Sequence, residues 1–171
     1  MPRLTTCNLQ VSSLYEYRLQ NASSCYNAIM KTEVQPRSEC VFSNVLDLLG
    51  DKWTLLIVRD LMFFGKHEYK EFLASPEAIA TNILSDRLKK LVNAEIAGEK
   101  MHPENKSRKF YYLTEKGKAL LPMLIEMARW GSIYLPELER MQGVYAKIRA
   151  NPERVRKSVL QSLSVWEKEH L

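Results

Sequence analysis

The chain has 171 residues, room for one well-packed core with appendages but not for two full domains. Hydrophobic residues at 46% and charged residues at 26% exclude wholesale disorder, and no apolar run approaches the roughly 18 residues of a membrane span. A net charge of +5 suits a polyanionic partner, whereas three cysteines without CxxC spacing, Cys7, Cys25 and Cys40, argue against a disulfide scaffold or a thiolate zinc site and for a reducing cytoplasm.

Residues 1–36 carry Ser pairs at 12–13 and 23–24 and no sustained core pattern, so they are expected to form a weakly ordered extension. Within it only Val11, Leu14, Tyr15 and Arg18 have the spacing of a short helix. Met30 is an alternative start, which would make the first 29 residues dispensable.

From Cys40 the pattern sharpens. Val41, Phe42, Val45, Leu46, Leu48 and Leu49 recur at helical spacing, with Gly50 placed as a left-handed C-terminal cap. Asp51 then caps a second helix with apolar Trp53, Leu56, Ile57, Leu61 and Met62, closed by Phe63, Phe64 and Gly65. Both helices read as core. A short third helix covers His67 to Ala74 with Tyr69, Phe72 and Leu73 inward, and Ser75-Pro76 forces a turn.

A fourth helix runs from Ile79 to Leu91. Leu84, Leu88, Leu91 and Val92 share one side, while Thr81, Asn82, Ser85, Asp86, Lys89 and Lys90 share the other. Thr81 is a better N-cap acceptor than Ala80. Downstream, Ala97 to Thr114 reads as a hairpin: Phe110 and Tyr112 alternate against Tyr111 and Leu113, Pro103, Glu104 and Asn105 mark the turn, and Lys106, Ser107, Arg108 and Lys109 make the tip basic. Three helices, a polar-faced fourth and a two-stranded hairpin define a mainly α (α+β) fold, a winged helix-turn-helix with extra terminal helices.

In that fold the fourth helix reads the major groove. Asn82 and Ser85 are then assigned to base edges and Lys89 and Lys90 to phosphates. Asp86 either accepts from a cytosine amine or holds Arg87 or Lys90 in place, and Arg87 makes either an ion pair or a phosphate contact. The wing tip contacts phosphates or the minor groove and makes binding depend strongly on salt. Double-stranded DNA is the expected partner.

Thr114 is expected to cap a long helix reaching about Ile133 and bent at Pro122. Its Leu120, Leu124, Met127 and Gly131 lie near a coiled-coil spacing beside Trp130. With Tyr134, this apolar face has little left to cover in so small a domain and is assigned to a homodimer interface. Asn151-Pro152-Glu153 starts a last helix with Val155, Val159, Leu163 and Trp166 on one face, which either buttresses the dimer or roofs an effector pocket. The winged domain is thus expected at 37–131 and a C-terminal helical extension at 132–171.

From Cys40 to about Gly131 the chain resembles the HxlR family of transcriptional regulators, winged-helix proteins related to the MarR group. The pieces that carry the likeness are LLGDKWTLLIVRDL, EYKEFLASPEAIATNILSDRLKKL, RKFYYLTEKGKALLPML and the ARWG ending, in that order. The resemblance implies a cytoplasmic homodimer on a roughly two-fold-symmetric operator, recognition helices in adjacent major grooves and wings on the flanking backbone. Cys40 matches the position at which some members carry a redox-sensing thiol, which makes an oxidant, alongside a small molecule, a candidate effector; plain packing is the alternative. One departure stands out. Where the family usually shows Ala-Gly, this chain has Ala94-Glu95, so a left-handed turn is strained or the cap shifts, and with it the angle of the wing.

No catalytic residue, metal site or cofactor is expected. His67, His102 and His170 stand far apart, with no HExxH, GxSxG, P-loop or GxGxxG. The rival reading is a winged helix used purely for protein contacts, without specific DNA binding.

Overall fold

The computed structural model describes residues 37–135 and 142–171; the N-terminal extension, the helix expected near Leu14, and Cys7 and Cys25 lie outside the described residues. From Ser38 onward the chain forms one unit. Its elements are α1 (Val41–Leu49), α2 (Lys52–Phe63), α3 (Tyr69–Leu73), α4 (Thr81–Asn93), β1 (Ala97–Met101), β2 (Lys109–Leu113), the single turn α5 (Glu115–Lys118), α6 (Leu121–Tyr134), α7 (Gln142–Ala150) and α8 (Pro152–His170).

The core forms where the apolar stripes of α2 and α4 meet the base of the hairpin. Ile57, Val58 and Leu61 of α2 pack with Phe72, with Leu84, Leu88 and Leu91 of α4, and with Ile96 and Leu113. Each such side chain withdrawn from water contributes about 1.5–3 kcal/mol. β1 and β2 pair antiparallel, Ala97 opposite Leu113 and Met101 opposite Lys109. A bridge from Glu68 to Phe110 ties the segment before α3 to the same sheet.

Five expectations are corrected. Gly50 is right-handed at φ −70°; glycine is needed there because a Cβ would stand 2.5 Å from the Leu46 carbonyl oxygen. α1 is not core along its length: Leu49 is buried, but Val41, Phe42, Val45 and Leu46 are exposed, Phe42 by 81%. The third helix starts later than expected, at Tyr69, with Glu68 and Glu71 forming a reciprocal capping box, so His67 stays extended and pairs with β2. α4 is capped by Ala80 with no side-chain hydrogen bond, and Thr81 is its first helical residue. The helix after the wing is broken rather than bent. Thr114 caps only the turn α5, accepting from the Gly117 amide, and the chain restarts at Leu121 because Pro122 has no N–H to continue the ladder.

The C-terminal segment does not form a separate body. Asn151 caps α8 by accepting from the Arg154 amide at 2.8 Å, and Ile148 of α7 and Leu163 of α8 join the same core as Leu121, Leu124 and Ile125 of α6. Leu124, only 7% exposed, therefore faces the chain's own interior and not an outside partner.

The turn after α4 shows what Glu95 does. The Ile96 amide reaches the Leu91 carbonyl and the Glu95 amide reaches that of Val92, both at 3.0 Å, a Schellman closure that requires a left-handed residue between helix and strand. Glu95 occupies it at φ +57°. The cap is not shifted, so the mismatch is held as backbone strain. Glu95→Gly is expected to stabilise the protein by about 1 kcal/mol, raising Tm by roughly 2–4 °C in a thermal melt. An unchanged or lowered Tm would show that the left-handed conformation costs Glu95 nothing.

Candidate nucleic-acid interface

Burying Leu84, Leu88 and Leu91 obliges α4 to turn its other face outward, where Thr81, Asn82, Ser85, Asp86 and Lys89 are all exposed. Asn82 and Lys89 have no side-chain partner among the described residues. Ser85 has one: its Oγ lies 2.8 Å from the Tyr69 hydroxyl, which also donates to the Thr81 carbonyl at 2.7 Å. Lys90 leans back and donates to the Asp47 carbonyl at 3.1 Å.

Arg87 is held by two carboxylates, Asp51 at the cap of α2 and its neighbour Asp86. The hydrogen bond to Asp51 is the main influence raising the Arg87 pKa. For Asp51, burial pushes upward, but hydrogen bonds from Arg87 and the Trp53 amide outweigh it and hold the carboxyl below its ordinary range. This pair, each side chain about a quarter exposed, ties α4 to the start of α2.

In the wing, Lys106 is exposed and without a side-chain partner among the described residues. The other three tip residues are engaged within the chain. Ser107 donates from its amide and hydroxyl to Asn105 Oδ1, Arg108 pairs with Glu68, and Lys109 Nζ lies 2.6 Å from Glu99. The basic tip is therefore less free than its composition suggests.

Sequence reasoning missed the anchor below the turn that enters α4. Asp60 is 2% exposed and accepts from four donors: Arg59 Nε at 2.9 Å and Nη2 at 2.6 Å, Lys66 Nζ at 2.8 Å and Ser75 Oγ at 2.6 Å. Arg59 continues to Glu77 at 2.5 Å. The turn is thus bolted to α2 at Ser75 and Glu77. The available signal was an acid standing inside the apolar run LLIVRDLMFF. The cavity beside it, lined by Trp53, Ile57, Phe72, Ser75 and Ile79, has a volume of about 10 Å³, the space of one water and not of an organic effector.

α8 settles over the back of the wing. Trp166 is sandwiched between His67, at 3.5 Å between ring centroids, and His170, at 4.6 Å, and meets Phe110 edge-on. Lys100 of β1 closes the end of α8 by donating to the carbonyls of His170 and Leu171. Burial pushes the His67 imidazole below its ordinary value, and the nearby His170 acts the same way; the Tyr111 carbonyl, Glu71 and Glu167 work in the opposite direction without prevailing. A histidine with a depressed folded-state pKa gives its full stability above the unfolded value, about 6.5, and loses it as pH falls below that. The urea midpoint is expected to drop between pH 7.5 and 5.5, and His67→Phe to flatten that slope. An identical slope in the variant would contradict this reading.

Cys40 is exposed at the start of α1. Among the dimer candidates, Leu120 is half-buried, whereas Met127, Trp130 and Tyr134 are exposed, together with Ile133 and Leu135. Among the described residues, no group of His, Cys, Asp or Glu side chains is arranged to hold a metal ion, and no helix is long and apolar enough to cross a membrane.

A helix-turn-helix that turns an exposed polar face outward beside a two-stranded wing is the fold of a DNA-binding transcriptional regulator. A model of the HxlR-like helix-turn-helix family matches residues 48–139, more than half of the chain, and the protein belongs to that family. It is 33% identical over 105 residues to the HTH-type transcriptional regulator YvaP of Bacillus subtilis (strain 168), covering 61% of this chain and 93% of that one. It is 38% identical over 95 residues to YodB of the same organism, covering 56% and 80%. The solved structure of the redox regulator HypR in its reduced form aligns with a TM-score of 0.51 and 27% identity, covering 59% of this chain and 99% of that one. α7 and α8 lie beyond the residues matched by the family.

Proposed function

We propose that the protein is a cytoplasmic, sequence-specific DNA-binding regulator without catalytic activity, acting as a homodimer on a roughly two-fold-symmetric operator. The observation that carries this reading is the outward face of α4, where Asn82, in the first helical turn and two turns before Lys89, is exposed and without a side-chain partner among the described residues. Asn82 and Ser85 meet base edges, Lys89 and Lys90 meet phosphates, and Lys106 leads the wing onto the backbone. Arg87 serves the fold through Asp51, with Asp86 steadying it, and Arg108 and Lys109 reach DNA only by leaving Glu68 and Glu99.

Dimerisation is supported by the large apolar side chains that stand exposed among the described residues, Met127, Trp130 and Tyr134 of α6 and Phe42 and Leu46 of α1. A redox input through Cys40 is supported by its exposed position and by the likeness to HypR. The test is a gel shift against the DNA upstream of the protein's own coding region at 50 and 200 mM salt. Specific binding is expected to fall by at least ~10³ across that range and by about 10-fold or more on Asn82→Ala. Binding indifferent to both salt and Asn82 would favour the rival, a winged helix used for protein contacts.

A further inference from the structure

The hydrogen-bond arrangement around Ser85 restricts what that side chain offers to DNA. A tyrosine hydroxyl has one proton. Tyr69 spends it on the Thr81 carbonyl, a group that only accepts and that lies 2.7 Å away; without the proton between them, two oxygens that close would repel. Tyr69 therefore meets Ser85 Oγ, at 2.8 Å, as an acceptor, and the Ser85 proton points inward to it. The outward side of Ser85 Oγ is left with lone pairs alone.

We infer that Tyr69 is a positioning residue for base recognition: it makes Ser85 an acceptor-only reader, which selects an exocyclic amino group, adenine N6 or cytosine N4, in the major groove. This rests on α4 entering that groove, as proposed above. A free serine hydroxyl rotates and serves donor or acceptor alike, which is why serine ordinarily discriminates poorly. With its proton committed, it meets a keto oxygen or a purine N7 as acceptor against acceptor. The position is central to the exposed stripe: Ser85 lies one turn from both Asn82 and Lys89 on the same face. Tyr69 touches no base itself and stands on α3, so it acts by fixing a neighbour's proton.

Selection of bound sequences from random DNA, with the full-length wild type and Ser85→Ala, locates the base pair whose identity depends on Ser85. At that pair the amino group alone is then removed, with purine replacing adenine or 2-pyrimidinone replacing cytosine. The wild type is expected to lose about 5- to 10-fold in affinity, and Ser85→Ala and Tyr69→Phe under about 2-fold. A thermal melt of Tyr69→Phe checks that it folds, and the wild-type response to amino removal stands whether or not it does. An insensitive wild type, or equal losses in wild type and a folded Tyr69→Phe, overturns the inference while leaving DNA reading intact. A wild type that selects no sequence overturns the proposed function and this inference with it.

Discussion

Asp60→Ala is expected to cost about 3 kcal/mol of stability, read as a lowered urea midpoint at unchanged slope. The carboxylate is almost wholly enclosed, and removing it strands two cations and a hydroxyl that all point at the space it leaves. Truncating one member of a buried charged cluster typically costs about 3–5 kcal/mol, because the survivors stay desolvated without a counter-charge. Arg59 and Lys66 are about a quarter and a fifth exposed, so water recovers part of the loss and the low end of that range applies. Ser75→Ala removes one hydroxyl and strands no charge, so it is expected to cost only about 1 kcal/mol. The two variants also differ at the DNA surface. Asp60→Ala frees the turn that enters α4 and lowers operator affinity even where the protein remains folded, whereas Ser75→Ala leaves Arg59 bridging Asp60 to Glu77. A loss below about 1 kcal/mol for Asp60→Ala would mean that the cluster is decorative.

Periodicity located the elements well and their partners poorly, for a physical reason. The stripe of Leu84, Leu88 and Leu91 specifies one buried side of α4 whatever covers it, so the outward Asn82 and Lys89 follow without knowledge of the fold. The same rule applied to α1 says only that Val41, Phe42, Val45 and Leu46 share a face, and among the described residues none buries that face. On α6 the spacing grouped Leu124 with Met127 and Trp130, but the restart at Leu121 turns Leu124 into the core and leaves the other two outside. Charge assignment failed in a related way. Lys106 and Arg108 are equivalent in composition, and only the tertiary position of Glu68, 40 residues earlier, separates the free cation from the paired one. The same holds for His67 and Trp166, whose contact no local pattern encodes. The Ala94-Glu95 departure was the exception. A left-handed requirement is local, set by the Schellman bonds at that turn, and so it could be read in advance.

The other large effect is expected from Trp130→Glu, which should convert the proposed homodimer to a monomer at micromolar concentration and weaken operator binding by at least ~100-fold. Trp130 is 59% exposed and its ring lies 5.2 Å from that of Tyr134, so the pair presents a broad apolar surface without supporting the protomer's own core. Covering such a side chain contributes about 1.5–3 kcal/mol. In a two-fold interface each residue counts twice, so the loss is about 3–6 kcal/mol before the cost of placing two carboxylates in an apolar contact is added. A stable dimer seldom has that margin. On DNA the consequence exceeds any single contact, because the second recognition helix is then no longer delivered by the first and each half-site must be bound alone. Sedimentation equilibrium reads the assembly, and a gel shift on intact and half operators reads the coupling. Since Trp130 is exposed in the protomer, the melting behaviour of the monomer should stay cooperative, which separates loss of pairing from loss of fold. A Trp130→Glu protein that remains dimeric with full operator affinity would place the interface elsewhere, with the exposed Phe42 and Leu46 of α1 next to be tested.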